Sequence, residues 1–543
     1  MTRSCTNRTL GAAIVQGLQK LGAGRFFLSP GARGSALVAA VAESGVDCTI
    51  HYDERGMAFA ALGWSMATGQ PAVCITTSGS AVANLLPACV EAFHSGVRLI
   101  FVTADRPPAL RGSGANQTIH QPGLFGSFVR AEADLQCPGD LAKLPSVLKK
   151  LCSAGLGPWP GPVHLNVPFN EPVLPRGMVG EFPLPDGLTI SEQTSFQIPE
   201  GFFESDRGVV VLGRLSLGEQ NVARKVLEFA QRLGWPLIAD ALSGARFLQG
   251  VVGHADWILQ RENIPAPERV LHLGGSLVSK RLGKWLASCR GTACLQVRRF
   301  PERLDPWDQN PVFLRSDIAA FLDAASVPEQ TGWCDWWRET DGKAEKILRD
   351  LSEGSEPAIA RIVAESAAKN RDLLFLGNSM PVRDVDSCAS ANSESPIPVL
   401  GNRGASGIDG NIATLAGACL GAGRPVLALL GDLAVLHDLN SLSLLHDLPV
   451  KLVVINNDGG GIFRFLPLEI GAAERERYWE TPHGMDFRHA AAQFGLEYHR
   501  PTTSSNLTSL LTRSSQKSCL IECRTDRAAN HALHLEIARR IRS

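Results

Sequence analysis

No stretch of this 543-residue chain stays apolar for the roughly 18 residues that a membrane-spanning helix needs, so no membrane partner is expected. Charge of one sign is not in excess either: 53 Lys and Arg stand against 54 Asp and Glu, a formal net charge of -1. That balance argues against a nucleic-acid partner or an anionic surface. The 13 cysteines include no C-x-x-C pair. Their odd number and their scatter through apolar runs, as at Cys74 and Cys419, point to buried reduced thiols rather than a disulfide framework or a metal centre. Met1–Leu10 is polar, carries Arg3 and Arg8, and leads into an amphipathic stretch, so no signal peptide is expected and a cytoplasmic location is. Short-period repeats and low-complexity tracts are absent.

What is present is an ordinary globular composition, 44% hydrophobic and 20% charged. At roughly 100–200 residues per domain, the length suggests three domains. Short apolar, β-branched runs alternate with longer helical patterns. Strands are expected at Ala72–Thr76, Arg98–Thr103, Pro162–Val167, Gly208–Leu212, Pro236–Ala239, Arg269–Leu273, Asp372–Leu376, Pro425–Leu430, Lys451–Ile455 and Ser518–Glu522. Several are apolar on both faces, as strands between two helix layers must be. The expected fold class is therefore α/β, with three doubly wound domains and mainly parallel sheets. Asn170 to Arg207 reads as a linker, and Ser326 to about Glu356 as a second joint that carries a tryptophan-bearing helix. The domains so expected are residues 1–180, 190–325 and 350–543.

The strongest chemical signal lies in the third domain. The strand Pro425–Leu430 runs into Gly431-Asp432-Leu433, and the strand Lys451–Ile455 into Asn456-Asn457-Asp458-Gly459-Gly460-Gly461. One βαβ crossover separates Asp432 from Asn457, so both belong at the carboxyl ends of neighbouring parallel strands, where open α/β sheets bind ligands. Mg²⁺ or Mn²⁺ bound to a diphosphate wants hard oxygens. Asp432 can give a carboxylate, Asn457 an amide oxygen and Gly459 a main-chain carbonyl. The glycine run lets Gly459 and Gly460 approach phosphates closely, and the helix N-terminus after Gly431 turns its positive end to them. Turn glycines with a capping Asp and Asn are the structural alternative.

A second signal lies in the first domain. His51-Tyr52-Asp53-Glu54-Arg55 precedes a helix of small residues, Gly56–Gly69, then the strand Ala72–Thr76, then Thr77-Ser78-Gly79-Ser80-Ala81 at the start of the next helix. An isolated Glu54 would read as a helix N-terminal charge.

A Glu before a Gly/Ala-rich helix, a T-S-G-x-A string and a distant G-D…N-N pair together resemble the thiamine-diphosphate enzyme superfamily and its thiamine-diphosphate-binding fold. That resemblance implies a pyrimidine-binding first domain, a central α/β domain and a diphosphate-binding third domain. It makes Glu54 the catalytic carboxylate against the aminopyrimidine ring, a role that suits a carboxylate held in an apolar cleft. It implies an active site at a dimer interface, and a homotetramer. Thr77, Gly79, Ser406, Ile408, Asp432, Leu433, Asn457, Gly459, Gly460 and Ile462 become cofactor-binding residues, with Ile408 under the bend of the cofactor. Asp432, Asn457 and Gly459 become the metal ligands.

Longer strings narrow the resemblance. Ser29-Pro30-Gly31-Ala32-Arg33, Thr103-Ala104-Asp105-Arg106-Pro107-Pro108, Gly114-Ala115-Asn116-Gln117-Thr118-Ile119 and Gly161-Pro162-Val163-His164-Leu165-Asn166 lie in the first domain. Asn378-Ser379-Met380-Pro381-Val382-Arg383-Asp384, Asn402-Arg403-Gly404-Ala405-Ser406-Gly407-Ile408-Asp409-Gly410, His437-Asp438-Leu439-Asn440 and Thr481-Pro482-His483 lie in the third. All are similar to the 2-succinyl-5-enolpyruvyl-6-hydroxy-3-cyclohexene-1-carboxylate synthase family of menaquinone biosynthesis. The resemblance implies that 2-oxoglutarate is decarboxylated on thiamine diphosphate and that the succinyl carbanion adds to isochorismate. Two dicarboxylate substrates call for cations with fork geometry. The matching positions are Arg33, Arg106, Arg383 and Arg403, with Gln117 and Ser379 as neutral donors, Lys280 from the central domain and Ile462 as a wall. Ala32 and Gly34 stand where that family often has Ser, and His120 where a charged residue is commoner. The charged run within Gly471–Asp486 reads either as a mobile lid or as a solvated face. Three other readings stay open: another thiamine-diphosphate-dependent 2-oxo acid decarboxylase, an acetolactate-synthase-like enzyme, and a non-catalytic relative that binds the cofactor. The central domain shows no full G-x-G-x-x-G, so a structural or regulatory role is expected there.

Overall fold

A computed structural model describes residues 6–135, 141–188, 197–289, 291–300, 304–329, 332–513 and 517–543. The middle of the linker read at 170–207, residues 189–196, which includes the boundary placed at residue 190, lies outside the described residues. Three sheets carry the chain, and every strand pair within them is parallel.

The first sheet comprises β1 (Arg25–Leu28), β2 (Cys48–Ile50), β3 (Ala72–Thr76), β4 (Leu99–Asp105), β5 (Glu132–Asp134) and β6 (Val163–Pro168), in the order β2-β1-β3-β4-β6-β5. The second comprises β7 (Gly208–Leu212), β8 (Leu237–Ala239), β9 (Arg269–Leu273), β10 (Ala293–Arg298) and β11 (Val312–Arg315), in the order β11-β10-β9-β7-β8. The third comprises β12 (Leu373–Leu376), β13 (Val399–Leu400), β14 (Val426–Gly431), β15 (Val450–Asn456), β16 (Glu497–His499) and β17 (Cys519–Arg524), in the order β13-β12-β14-β15-β17-β16. In each sheet the order reverses part-way, as in doubly wound folds.

The period of two along the strands explains the layers. Val73 and Ile75 of β3 join Phe26, Val102 and Leu165 in one apolar cluster, while Ala72 and Cys74 join Phe27, Phe101 and Leu62 on the opposite face. The second sheet divides the same way, with Val210 and Leu212 on one face and Val209 and Val211 on the other. Each such side chain contributes about 1.5–3 kcal/mol by leaving water. All ten strands read from the sequence are present, with ends moved by at most a residue or two. Seven more were not read: β1, β2, β5, β10, β11, β13 and β16. Five of these run only two to four residues at a sheet edge, too short for an alternation to show.

The chain forms two compact units. One gathers Met1–Glu192, Asn402–Gly423 and Asp438–Leu444, and the other Gln193–Gly401, Arg424–His437 and Leu445–Ser543. In the first unit the helix Glu54–Thr68, capped by Asp53, packs along the helix Asn411–Ala422. A Cβ at Gly63 would come 1.9 Å from the Thr414 carbonyl oxygen, and one at Gly417 1.8 Å from that of Ala60. Glycine at both positions is what lets the two backbones touch. The second unit contains both the second and third sheets. Gln220 stitches them through its side chain, donating to the Val399 carbonyl at 2.7 Å and accepting the Val399 N–H at 2.9 Å. Trp337, in the helix Cys334–Arg349 of the second joint, is buried in the cluster under β7 and β9.

Candidate active site

The third sheet places two matched side chains at neighbouring strand ends. β14 and β15 pair with Gly431 opposite Ile455, so Asp432 and Asn457 both stand at the carboxyl edge. Asp432 opens the helix Asp432–His437 and is 3% exposed. Its Oδ1 accepts the Leu433 N–H at 2.7 Å and its Oδ2 the Gly459 N–H at 2.9 Å. His483 Nε2 lies 3.2 Å from the same Oδ2, and its Nδ1 accepts the Met485 N–H at 3.0 Å, which leaves the ring proton on Nε2. Burial pushes the Asp432 carboxyl above the usual Asp range, and these bonds offset only part of that rise.

Asn457 Nδ2 donates to Glu356 Oε1 at 2.9 Å. Its Oδ1 is buried and accepts no hydrogen bond from any described residue. Gly459 adopts φ +132°, and a Cβ there would stand 2.1 Å from the Glu480 carbonyl oxygen. The Gly460 N–H donates to that carbonyl at 2.7 Å. Arg527 Nη1 donates to the Asn457 and Asp458 carbonyls at 3.0 and 2.8 Å. A carboxylate, an amide oxygen and a close glycine loop form a hard-oxygen set that fits Mg²⁺ or Mn²⁺ with a diphosphate. Asn457 Oδ1 is the member of that set with no hydrogen-bond partner among the described residues.

The first unit holds a second group of the predicted residues. Glu54 begins the helix after β2, half-buried, and its Oε2 accepts Asn84 Nδ2 at 3.1 Å. Thr77 and Ser78 are buried beyond the end of β3, and Gly79 caps the next helix. The Gly79 N–H donates to Gln121 Oε1 at 3.0 Å. Gln117 Nε2 donates to the Ser78 carbonyl at 2.9 Å, and Arg106 Nη1 to the Ser78 hydroxyl at 2.7 Å. Arg33 is buried, pairs with Glu171 at 2.8 Å and donates to the Phe169 carbonyl at 3.0 Å. Burial and then the Arg33 charge lower the Arg106 pKa, which sets the two guanidiniums in one neighbourhood. Arg403, Ser406 and Ile408 lie on the loop that leads to the helix Asn411–Ala422, and Ile408 is 37% exposed. The buried Glu91 carboxylate fixes that loop by accepting the Gly404, Ala405 and Ser406 N–H groups at 2.6, 2.7 and 3.4 Å.

In the second unit a cavity of about 390 Å³ brings Lys280, Arg383 and Ile462 together, with Asp384 and His534 also on its wall. Lys280 begins a helix capped by Ser279, and Ile462 sits on the turn Gly461–Phe465. Arg383 donates to the Ser379 carbonyl, and burial lowers its pKa. Ser379 itself holds φ +73° at the start of the helix Met380–Cys388, a conformation that costs a non-glycine residue on the order of 1 kcal/mol. Such strain is commonest at functional sites.

Three contributors had no assigned role in the sequence reading. Glu356 is buried in the first turn of Glu356–Asn370, and burial, then the Asp384 charge, push its pKa up to about 7. Glu480 is buried in the segment 471–486, where Arg527 Nε and Arg464 Nη2 meet its Oε2 at 2.7 and 2.9 Å. Gln121 reaches Gly79 from a buried network that includes Asn166. The Ser355-Glu356-Pro357 string carries a helix-start signal, which hides the side chain's tertiary contact.

Three family models match the chain. They are described as the thiamine pyrophosphate enzyme N-terminal TPP binding domain over residues 8–124, the middle domain of thiamine pyrophosphate enzymes over 192–376, and the C-terminal TPP binding domain over 392–523. Similar curated proteins named 2-succinyl-5-enolpyruvyl-6-hydroxy-3-cyclohexene-1-carboxylate synthase come from Rubrobacter xylanophilus, Salinibacter ruber and Aeromonas salmonicida. The first is 42% identical, covering 98% of this chain and 98% of its own. The second is 39% identical over 96% and 94%, and the third 38% over 94% and 93%.

Proposed function

Because the chain belongs to the 2-succinyl-5-enolpyruvyl-6-hydroxy-3-cyclohexene-1-carboxylate synthase family of thiamine-diphosphate enzymes, we propose that it joins 2-oxoglutarate to isochorismate with loss of CO₂. The product retains the enolpyruvyl group and feeds menaquinone biosynthesis. The observation that carries this reading is the placement of Asp432 beside an Asn457 whose buried Oδ1 has no partner among the described residues, at adjacent strand ends. Relatives that share one name along nearly the whole chain do not favour a simple decarboxylase or an acetolactate-synthase-like activity.

Thiamine diphosphate supplies the nucleophilic carbon and electron sink that decarboxylation of a 2-oxo acid requires. Asp432, Asn457 and the Gly459 carbonyl hold Mg²⁺ or Mn²⁺, while Leu433 and Gly460 line the diphosphate. Glu54 shares a proton with the pyrimidine ring, and Thr77, Gly79, Ser406, Ile408 and Ile462 wall the cofactor. Arg33, Arg106, Gln117, Lys280, Ser379, Arg383 and Arg403 bind the substrates. Their charge suits two substrates with four carboxylates, of which one is lost. Residues 1–180, 190–325 and 350–543 serve as the pyrimidine, central and diphosphate domains. The working form is a homotetramer with active sites at dimer interfaces, in the cytoplasm. No helix among the described residues is long and apolar enough to cross a membrane.

The test is to incubate the purified protein with thiamine diphosphate, Mg²⁺ and 2-oxoglutarate, add isochorismate, and follow its absorbance with mass detection of the product. Isochorismate consumed only with 2-oxoglutarate, giving an adduct that retains the enolpyruvyl group, supports the proposal. CO₂ release with isochorismate untouched removes the acceptor assignment.

A further inference from the structure

Glu356 lies far in sequence from the diphosphate loop yet touches its key amide. Its Oε1 takes two hydrogen bonds, from Asn457 Nδ2 at 2.9 Å and from the Thr525 hydroxyl at 3.0 Å. All three residues belong to the second compact unit. Glu356 is 1% exposed, so it is not a surface charge that happens to brush the loop. A side-chain amide has a donor end and an acceptor end of nearly equal shape, and only its partners decide which way it faces. Oε1 accepts whether the carboxyl has lost its proton or carries it on Oε2. With Oε1 accepting from both neighbours, the NH₂ end of Asn457 faces Glu356. The opposite, acceptor end is left buried without a donor among the described residues.

We infer that Glu356 is a positioning residue that fixes the Asn457 carboxamide with its oxygen presented to the divalent cation. This rests on the assignment of Asn457 as a metal ligand. A flipped Asn457 would offer hydrogens to the cation and lose the bond entirely, because an NH₂ group is no ligand for Mg²⁺ or Mn²⁺. Arg527 holds the backbone of the same residue through the Asn457 carbonyl. The main chain is therefore set by one partner and the side-chain orientation by another. Orienting partners of this kind change metal affinity roughly 10- to 100-fold when removed.

The experiment follows free Mn²⁺ by its EPR signal as it is titrated with full-length protein saturated in thiamine diphosphate. Glu356→Met removes the acceptor and should weaken Mn²⁺ binding roughly 10- to 100-fold. Glu356→Gln keeps an acceptor oxygen at the same place and should stay close to the parent. Adding Asn457→Asp to Glu356→Met should restore binding, since a carboxylate offers oxygen whichever way it turns. A residue that only stabilised the fold would lower the melting temperature without this rescue. Should Glu356→Met not fold, Glu356→Asp withdraws the acceptor by one methylene with the carboxylate kept, and the same loss is expected. Parent-level Mn²⁺ affinity in the Met or Asp variant overturns the inference and leaves the proposed function standing. A parent protein that binds no Mn²⁺ overturns the inference together with the metal assignment beneath it.

Discussion

Arg527 Nε donates to Glu480 Oε2 at 2.7 Å, and the same guanidinium reaches back to the Asn457 and Asp458 carbonyls. One side chain thus ties the diphosphate loop to the segment 471–486, whose other charged side chains, Glu474, Arg475, Glu476, Arg477 and Asp486, are solvent-facing or half-buried. Within that segment Glu480 is buried and bonded to Arg527.

Replacing Arg527 by Met should therefore do two things at once. Among the described residues Glu480 then keeps Arg464 alone, so a buried carboxylate loses one of two cations at a cost of about 3 kcal/mol. The loop carbonyls at 457 and 458 also lose their donor, so thiamine diphosphate and Mn²⁺ should bind more weakly by calorimetry. A variant that melts lower but binds both with parental affinity would show that the clamp is structural only.

Gly417 tests the close packing of the first unit. Even the methyl group of Gly417→Ala meets the Ala60 carbonyl at 1.8 Å, a backbone atom that cannot swing aside. The helices Glu54–Thr68 and Asn411–Ala422 would have to part, at a cost of about 3 kcal/mol. Urea unfolding should report that loss. A loss below about 0.5 kcal/mol, the scale of a neutral surface change, would contradict the backbone contact.

What could be read from the sequence follows a physical rule. Strands buried on both faces announce themselves by continuous apolar runs, which is why β3, β4, β7 and β14 were legible. The Asp432 and Asn457 pair was legible because one crossover fixes their relation. The short edge strands carry too few residues for a period. The contact of Glu356 with Asn457 joins residues of two separate strings, and nothing local to either string shows it. The pairing of Arg33 with Glu171 is of the same kind: a cation expected for substrate already holds a carboxylate of its own unit, and the sequence gives no sign of it.

Arg383 separates substrate binding from cofactor binding. It lines the cavity shared with Lys280 and Ile462, and among the described residues no hydrogen bond joins it to the 457–461 loop. Arg383→Ala should raise KM for one of the two carboxylate substrates roughly 100-fold, about 3 kcal/mol, the scale for losing a buried charge-assisted contact. Calorimetry should find Mn²⁺ and thiamine diphosphate bound as in the parent. Equal losses in both measurements would mean that Arg383 supports the fold of the site rather than a substrate carboxylate.

Asp438 gives a pH prediction with a definite sign. It is buried, accepts the Ala413 N–H at 3.0 Å and the Ser441 hydroxyl at 2.8 Å, and burial pushes its pKa up to about 6. Unfolded, an Asp titrates near 4. Between those two values the folded chain binds more protons than the unfolded one, so stability falls as pH rises through that window and levels off above it. At about 1.4 kcal/mol per pKa unit, the effect is on the order of 3 kcal/mol. Thermal melts from pH 4 to pH 7 on the parent and on Asp438→Asn should differ in slope. The Asn variant keeps an acceptor for Ala413 and lets the Ser441 hydroxyl turn, but has no proton to lose. Its stability relative to the parent should therefore rise with pH up to about 6 and then stay constant. Parallel curves across the whole range would show that Asp438 carries no such shift.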